Sequence, residues 1–180
     1  VGADQLHGFE ERLTTDIYPP DFGWTPDYRK PDERIDWWYH TMGSVTGAGV
    51  AEITNQLEYD DEVAYHATRK MFDLARSHDP RPWCLTVSFT HPHDPYVARK
   101  KYWDLYDPAA IEIAGDTESL KDAPKVALHG SGELRRYTDQ KKTGPIPDDA
   151  QRRVKHAYYA CISYIDAQVG RVLEELDAQG

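Results

Sequence analysis

The residues best placed to do chemistry are the six at 91–96, His91-Pro92-His93-Asp94-Pro95-Tyr96. Two imidazoles and a carboxylate stand within four positions, and two prolines stiffen the backbone that carries them, so that little freedom is lost on binding. Three chemistries fit this pattern. His93 could hydrogen-bond an anionic substrate and deliver a proton to a leaving oxygen. His91 and His93, projecting to one side of extended chain, could form a metal pair. The histidines and Asp94 could instead satisfy the backbone groups of a tight turn. The metal pair needs further ligands, and the only histidines that follow are His129, among glycines, and His156, in a helical pattern, so a complete site is not evident.

The segment follows an apolar run, residues 83–90, in which Leu85, Val87 and Phe89 alternate with Cys84, Thr86 and Ser88. Small or apolar residues on both faces predict a buried strand of an α/β sheet, and ligands gather where such strands end in loops. Residues 59–77 read as a helix, with Val63, Ala67, Met71 and Leu74 at spacings of three and four. Asp60 and Asp61 lie near its start, where capping and the helix dipole explain them. A longer helix is expected over 148–178, with Val154, Ala157, Cys161, Ile165, Val169 and Val172 on one stripe, and Asp148 or Asp149 as cap. Gly170 inside it costs about 1 kcal/mol against Ala, which predicts close packing there.

The remaining segments are shorter or irregular. Residues 6–15 suggest a short strand, and Arg99 begins a short helix that Pro108 stops. Residues 16–31, punctuated by Pro19, Pro20, Gly23, Pro26 and Pro31, read as an ordered loop with Trp24 at its centre. Residues 35–42 contain Trp37, Trp38, Tyr39 and His40 and are too short to assign. The polar stretch 114–147 is long for a loop in a compact domain.

Composition narrows the partners. The 180 residues suit one domain, and their net charge of −10 argues against nucleic acid. The runs Arg99-Lys100-Lys101 and Lys141-Lys142 sit beside acidic residues and read as solvated surface. No stretch reaches the roughly 20 apolar residues of a membrane span. The two separated cysteines form neither a disulfide framework nor a zinc spacing, which favours a reduced, cytoplasmic setting. The 12 Tyr and 5 Trp suit a site or an interface as well as a core.

The junction Thr90-His91-Pro92-His93-Asp94-Pro95-Tyr96 resembles the segment of the sulfatase family in which a Pro-His pair follows a central strand. The run Tyr158-Tyr159-Ala160-Cys161-Ile162-Ser163-Tyr164-Ile165-Asp166-Ala167-Gln168-Val169-Gly170 is similar to the helix that sulfatases and related phosphonate and phosphodiester hydrolases carry before a metal-ligand strand. Gly2-Ala3-Asp4-Gln5-Leu6-His7-Gly8-Phe9-Glu10-Glu11-Arg12 and Ile35-Asp36-Trp37-Trp38-Tyr39-His40 resemble the choline sulfatase branch of that family.

The resemblance implies an α/β chain, part of the alkaline-phosphatase-like sulfatase fold, with a mixed or mainly parallel sheet flanked by helices. Residues 1–180 would be the central part of one catalytic domain. The implied activity is sulfuric ester hydrolysis, of choline-O-sulfate to choline and sulfate, by a parent protein that forms homo-oligomers. His93 would contact the sulfate and its bridging oxygen, while Trp24 and His40 would lie near the substrate. His7 and His91 would stand behind the sulfate site, and Trp37, Trp38, Trp83 and Asp166 would be structural. The family also implies Ca2+ and a formylglycine made from the Cys of Cys-x-Pro-x-Arg. Neither Cys84, followed by Leu85-Thr86-Val87, nor Cys161, followed by Ile162-Ser163-Tyr164, fits that motif. No paired aspartates end an apolar strand and no Asp-His-Gly block is present, so no metal ligand is assigned to this chain, which alone should not turn over an ester. A phosphonate or phosphate ester hydrolase of the same superfamily, and a non-catalytic choline-binding module, are the alternative readings.

Overall fold

The computed structural model describes residues 6–15, 17, 29–30, 45, 47–113, 122, 124 and 147–180. Its elements run β1 (Gly49–Val50), α1 (Asn55–Ala75), β2 (Val97–Ala98), α2 (Lys100–Trp103), a 3-10 turn (Pro108–Ala110) and α3 (Asp148–Gln179). β1 and β2 pair in parallel, Gly49 opposite Val97 and Val50 opposite Ala98. Parallel pairing requires a crossover, and α1 lies in it.

α1 starts earlier than its periodicity suggests. Thr54 is extended, and its Oγ1 accepts from the Leu57 amide at 3.1 Å, satisfying one of the amides a helix start leaves unpaired. The cap is therefore Thr54, and Asp60 and Asp61 are free for other work. α3 matches its expected span, but Asp148 and Asp149 occupy its first turn rather than its cap. Pro147 holds the cap position with no side-chain hydrogen bond. Gly170 is not a packing glycine either, since a Cβ there would meet nothing within 4 Å.

α1 packs chiefly against α3. Their buried faces combine small and large groups: Leu57, Ala64, Ala67 and Met71 from α1, and Ala157, Ala160, Cys161 and Tyr164 from α3. The first half of α3 also secures the irregular chain beside it. Arg153 donates to the Ala48 carbonyl at 2.7 Å, Arg152 to that of Ile111 at 3.2 Å and Lys155 to that of Glu112 at 2.7 Å. Buried His156 places Nε2 2.9 Å from the Trp103 carbonyl. Carbonyls without ladder partners are thereby paired.

Two expected strands are irregular in the structure. Residues 6–15 form turns, with Phe9 bonding back to Leu6, and are tied to the body by ion pairs of Glu11 with Lys70 and Glu10 with Arg81. Residues 83–90 belong to no ladder, although their alternation persists as half-buried Leu85, Val87 and Phe89 against exposed Cys84, Thr86 and Ser88. A strand needs a neighbour to exchange hydrogen bonds with, and none lies alongside this segment among the described residues. Trp83, expected to pack, is 50 % exposed for the same reason. Residues 35–42, nearly all of 16–31 and nearly all of 114–147 lie outside the described residues, as do Trp37 and Trp38.

Candidate active site

The loop 90–97 rises from the end of the 83–90 segment and returns into β2. Its foundation is α1. Asp60, fully buried, accepts from the Thr90 amide at 2.7 Å, the His91 amide at 2.9 Å and His91 Nδ1 at 2.7 Å. Burying a carboxylate is costly unless its lone pairs are used, and here three donors converge on it. His91 Nε2 lies 3.1 Å from the Val97 carbonyl, so the imidazole spans the base of the loop. Gln56, one turn before Asp60, donates to the His93 carbonyl at 3.0 Å.

Above this base His93 stands exposed. Its Nδ1 is 2.8 Å from the Asp94 carbonyl and 3.0 Å from the Asp94 carboxylate. Two oxygen acceptors fix a proton on Nδ1, which leaves Nε2 as the outward atom. The ring can meet an anion or exchange a proton through that nitrogen. His91 cannot, because both of its nitrogens are engaged below. The two histidines therefore do not form a metal pair, and no cluster of three or more His, Cys, Asp or Glu suited to a metal occurs among the described residues.

Asp61, the next residue on α1, faces α3 and β2. It pairs with Arg99 at 2.6 Å and accepts from Tyr164 Oη at 3.0 Å and Gln168 Nε2 at 2.8 Å. Burial opposes its ionisation, but Arg99 and Tyr164 outweigh that and hold its carboxyl below the usual range. The Asp61 hydrogen bond raises the Arg99 pKa in turn. Arg99 is thus a cross-link rather than the solvated cation its basic run suggests. Tyr164 closes the assembly: its ring lies edge-on to His91 at 4.9 Å, and its hydroxyl is held in the protonated form by burial and by Asp61.

The positions singled out from sequence separate here. His93 is at the loop tip and His91 beneath it. Trp24 and His40 lie outside the described residues. His7 is exposed and borders a groove of about 820 Å3 between the first segment, α1 and the 83–88 chain. That groove includes none of residues 90–96, so it is separate from the histidine loop. Asp166 is exposed at the surface of α3, and Arg171 donates to Gln168 instead. Burial pushes the Cys161 thiol up to about 12, so it is no nucleophile. Sequence reasoning missed Gln56 and Asp60. The signal was their place on the apolar stripe, since 56, 60, 63, 67 and 71 share one face of α1 and two of the five are polar.

The sulfatase family model matches residues 1–180. The choline-sulfatase of Rhizobium meliloti is 57 % identical over 182 residues, covering 98 % of this chain and 34 % of that protein. Human iduronate 2-sulfatase is 36 % identical over 102 residues, 53 % of this chain and 18 % of its own length. A multifunctional alkaline phosphatase superfamily protein of Trinickia caryophylli, PehA, is 26 % identical across 88 % of this chain and 32 % of its own length. The chain thus spans about a third or less of these relatives. The family match runs from the first residue to the last, through the histidine loop and the helices that hold it, and the chain belongs to the sulfatase family.

Proposed function

We propose that the protein of which this chain forms part hydrolyses a sulfate ester, choline-O-sulfate, to choline and sulfate, and that residues 91–96 supply the proton donor. The observation that carries the reading is the setting of His93: its side chain is exposed, its Nδ1 is held by Asp94, and its loop is anchored on buried Asp60. As an incoming oxygen, in the net reaction that of water, replaces the bridging oxygen on sulfur, the departing oxygen takes the Nε2 proton of the doubly protonated His93 ring, whose Nδ1–H stays on Asp94, and the alcohol leaves neutral. Donation of this kind contributes about 10²–10⁴-fold in rate. The 57 % identity to a choline-sulfatase supports choline as the alcohol. Trp24 and His40 then line its side of the pocket, the indole face receiving the quaternary ammonium.

Sulfatases in general employ a formylglycine and a metal ion. The described residues do not fit either group: Cys161 is buried in α3, Cys84 lacks the required motif, and no ligand cluster is present among them. We assign both groups, the metal as Ca2+, to flanking sequence of the whole protein, which also completes the larger sheet around residues 83–90. The substrate is a small molecule, the setting cytoplasmic and the assembly homo-oligomeric on this reading. No helix among the described residues is long and apolar enough to cross a membrane.

The test is turnover of choline-O-sulfate by the whole protein and its His93→Ala variant. A fall in kcat of about 10²-fold or more is expected, and near-normal release of sulfate by the variant removes His93 from the mechanism. Sulfate and phosphate esters of one alcohol, assayed side by side, separate this activity from that of a phosphate ester hydrolase.

A further inference from the structure

The face of α1 beneath the loop is more elaborate than packing requires. Positions 63, 67 and 71 continue the same stripe with Val, Ala and Met, whereas positions 56 and 60 are a buried amide and a buried carboxylate. Each of their hydrogen bonds ends on the loop. Asp60 takes the amides at its entry, residues 90 and 91. Gln56 takes the carbonyl of His93 itself. The His91 ring carries the connection from Asp60 across to the Val97 carbonyl at its exit. Three points of an eight-residue loop are therefore referred to one helix face, and the ring that lies between them is fully buried.

We propose that Asp60 and His91, with Gln56, are positioning residues for His93: the buried imidazole is a strut across the loop base, Asp60 is its anchor, and together they set where His93 Nε2 meets the ester oxygen. The proposal rests on the reading of His93 as proton donor. None of the three touches the substrate. Their effect passes through the placement of one ring, and a displacement of about 1 Å at a reacting group costs about 10²-fold in rate.

A double-mutant cycle on the whole protein tests this, with choline-O-sulfate as substrate and the folded fraction of each variant measured by circular dichroism. Asp60→Asn is expected to lower kcat by about tenfold or more while KM moves less than threefold. In a His93→Ala background the same change is expected to cost less than twofold, because no donor remains to be misplaced. Gln56→Leu is expected to follow the same pattern more weakly, and it alone decides the matter should Asp60→Asn not fold. Equal fold losses in both backgrounds would mark a structural role and overturn the proposal, as would normal kcat in both variants. Normal turnover in His93→Ala alone would instead overturn the reading of the donor.

Discussion

Replacing Tyr164 with Phe isolates a single oxygen at the point where α1, α3 and the histidine loop meet. The ring contacts survive, at 4.9 Å to His91 and 5.5 Å to Tyr102. Lost is a hydroxyl that lies 3.0 Å from the Asp61 carboxylate and 3.2 Å from the Leu57 carbonyl. One proton serves two acceptors, and the charged one dominates, which sets the scale at about 1.5–3 kcal/mol. The lower end applies, because neither acceptor is orphaned. Asp61 keeps Arg99 and Gln168, and Leu57 keeps its helical partner within α1. A loss of about 1.5–2 kcal/mol corresponds to about ten- to thirtyfold in a local opening equilibrium. Native-state amide exchange at the first two turns of α1 reads this directly, and should accelerate by that factor. Tyr164→Ala, which empties the ring site as well, should cost about 3–5 kcal/mol. Unchanged exchange in the Phe variant would mean that the hydroxyl bond adds nothing over water. A loss equal to that of the Ala variant would mean that the ring contacts, not the oxygen, had been misjudged.

Two further outcomes follow from the helices and their cross-links. Gly170→Ala should stabilise α3 by about 1 kcal/mol, since the added methyl meets nothing within 4 Å; amide exchange around residue 170 slowing about fivefold is the check. The Asp61 carboxyl lies below its ordinary range in the folded state, so its contribution is complete above the unfolded value of about 4 and is lost as pH falls below it. Asp61→Asn should flatten the acid limb of stability in that window, measured by urea midpoints between about pH 2 and pH 5; an unaltered limb would assign the acid sensitivity elsewhere.

Helical content was legible because periodicity is local: the stripe of Val63, Ala67 and Met71 is present in the chain before any folding occurs. Residues 83–90 were legible only in part. Alternation in sequence became alternation in burial, yet a ladder depends on a partner that no local pattern can supply. The histidine loop stood out through its residue types, and the orientation of His93 could not, since it depends on an adjacent carboxylate and on a helix more than thirty positions earlier. Asp60 and Asp61 show why capping arguments mislead. A carboxylate near a helix start looks the same in sequence whether it faces the dipole, a loop amide or a guanidinium. Gly170 failed in the opposite direction, where an expected close contact proved to be open space.

Consecutive positions on an α-helix point about 100° apart, and Asp60 and Asp61 use that angle to address two different neighbours. The pair therefore fixes the rotational phase of α1 as well as its depth. Inserting or deleting one residue between Asp61 and Val63 would turn both carboxylates together out of phase with buried Val63, Ala67 and Met71, and no side-chain adjustment could recover either. Gaps between this chain and other sulfatases should accordingly cluster after Ala75 or beyond Ile111, and this first stretch of α1 should keep constant length even where its sequence drifts.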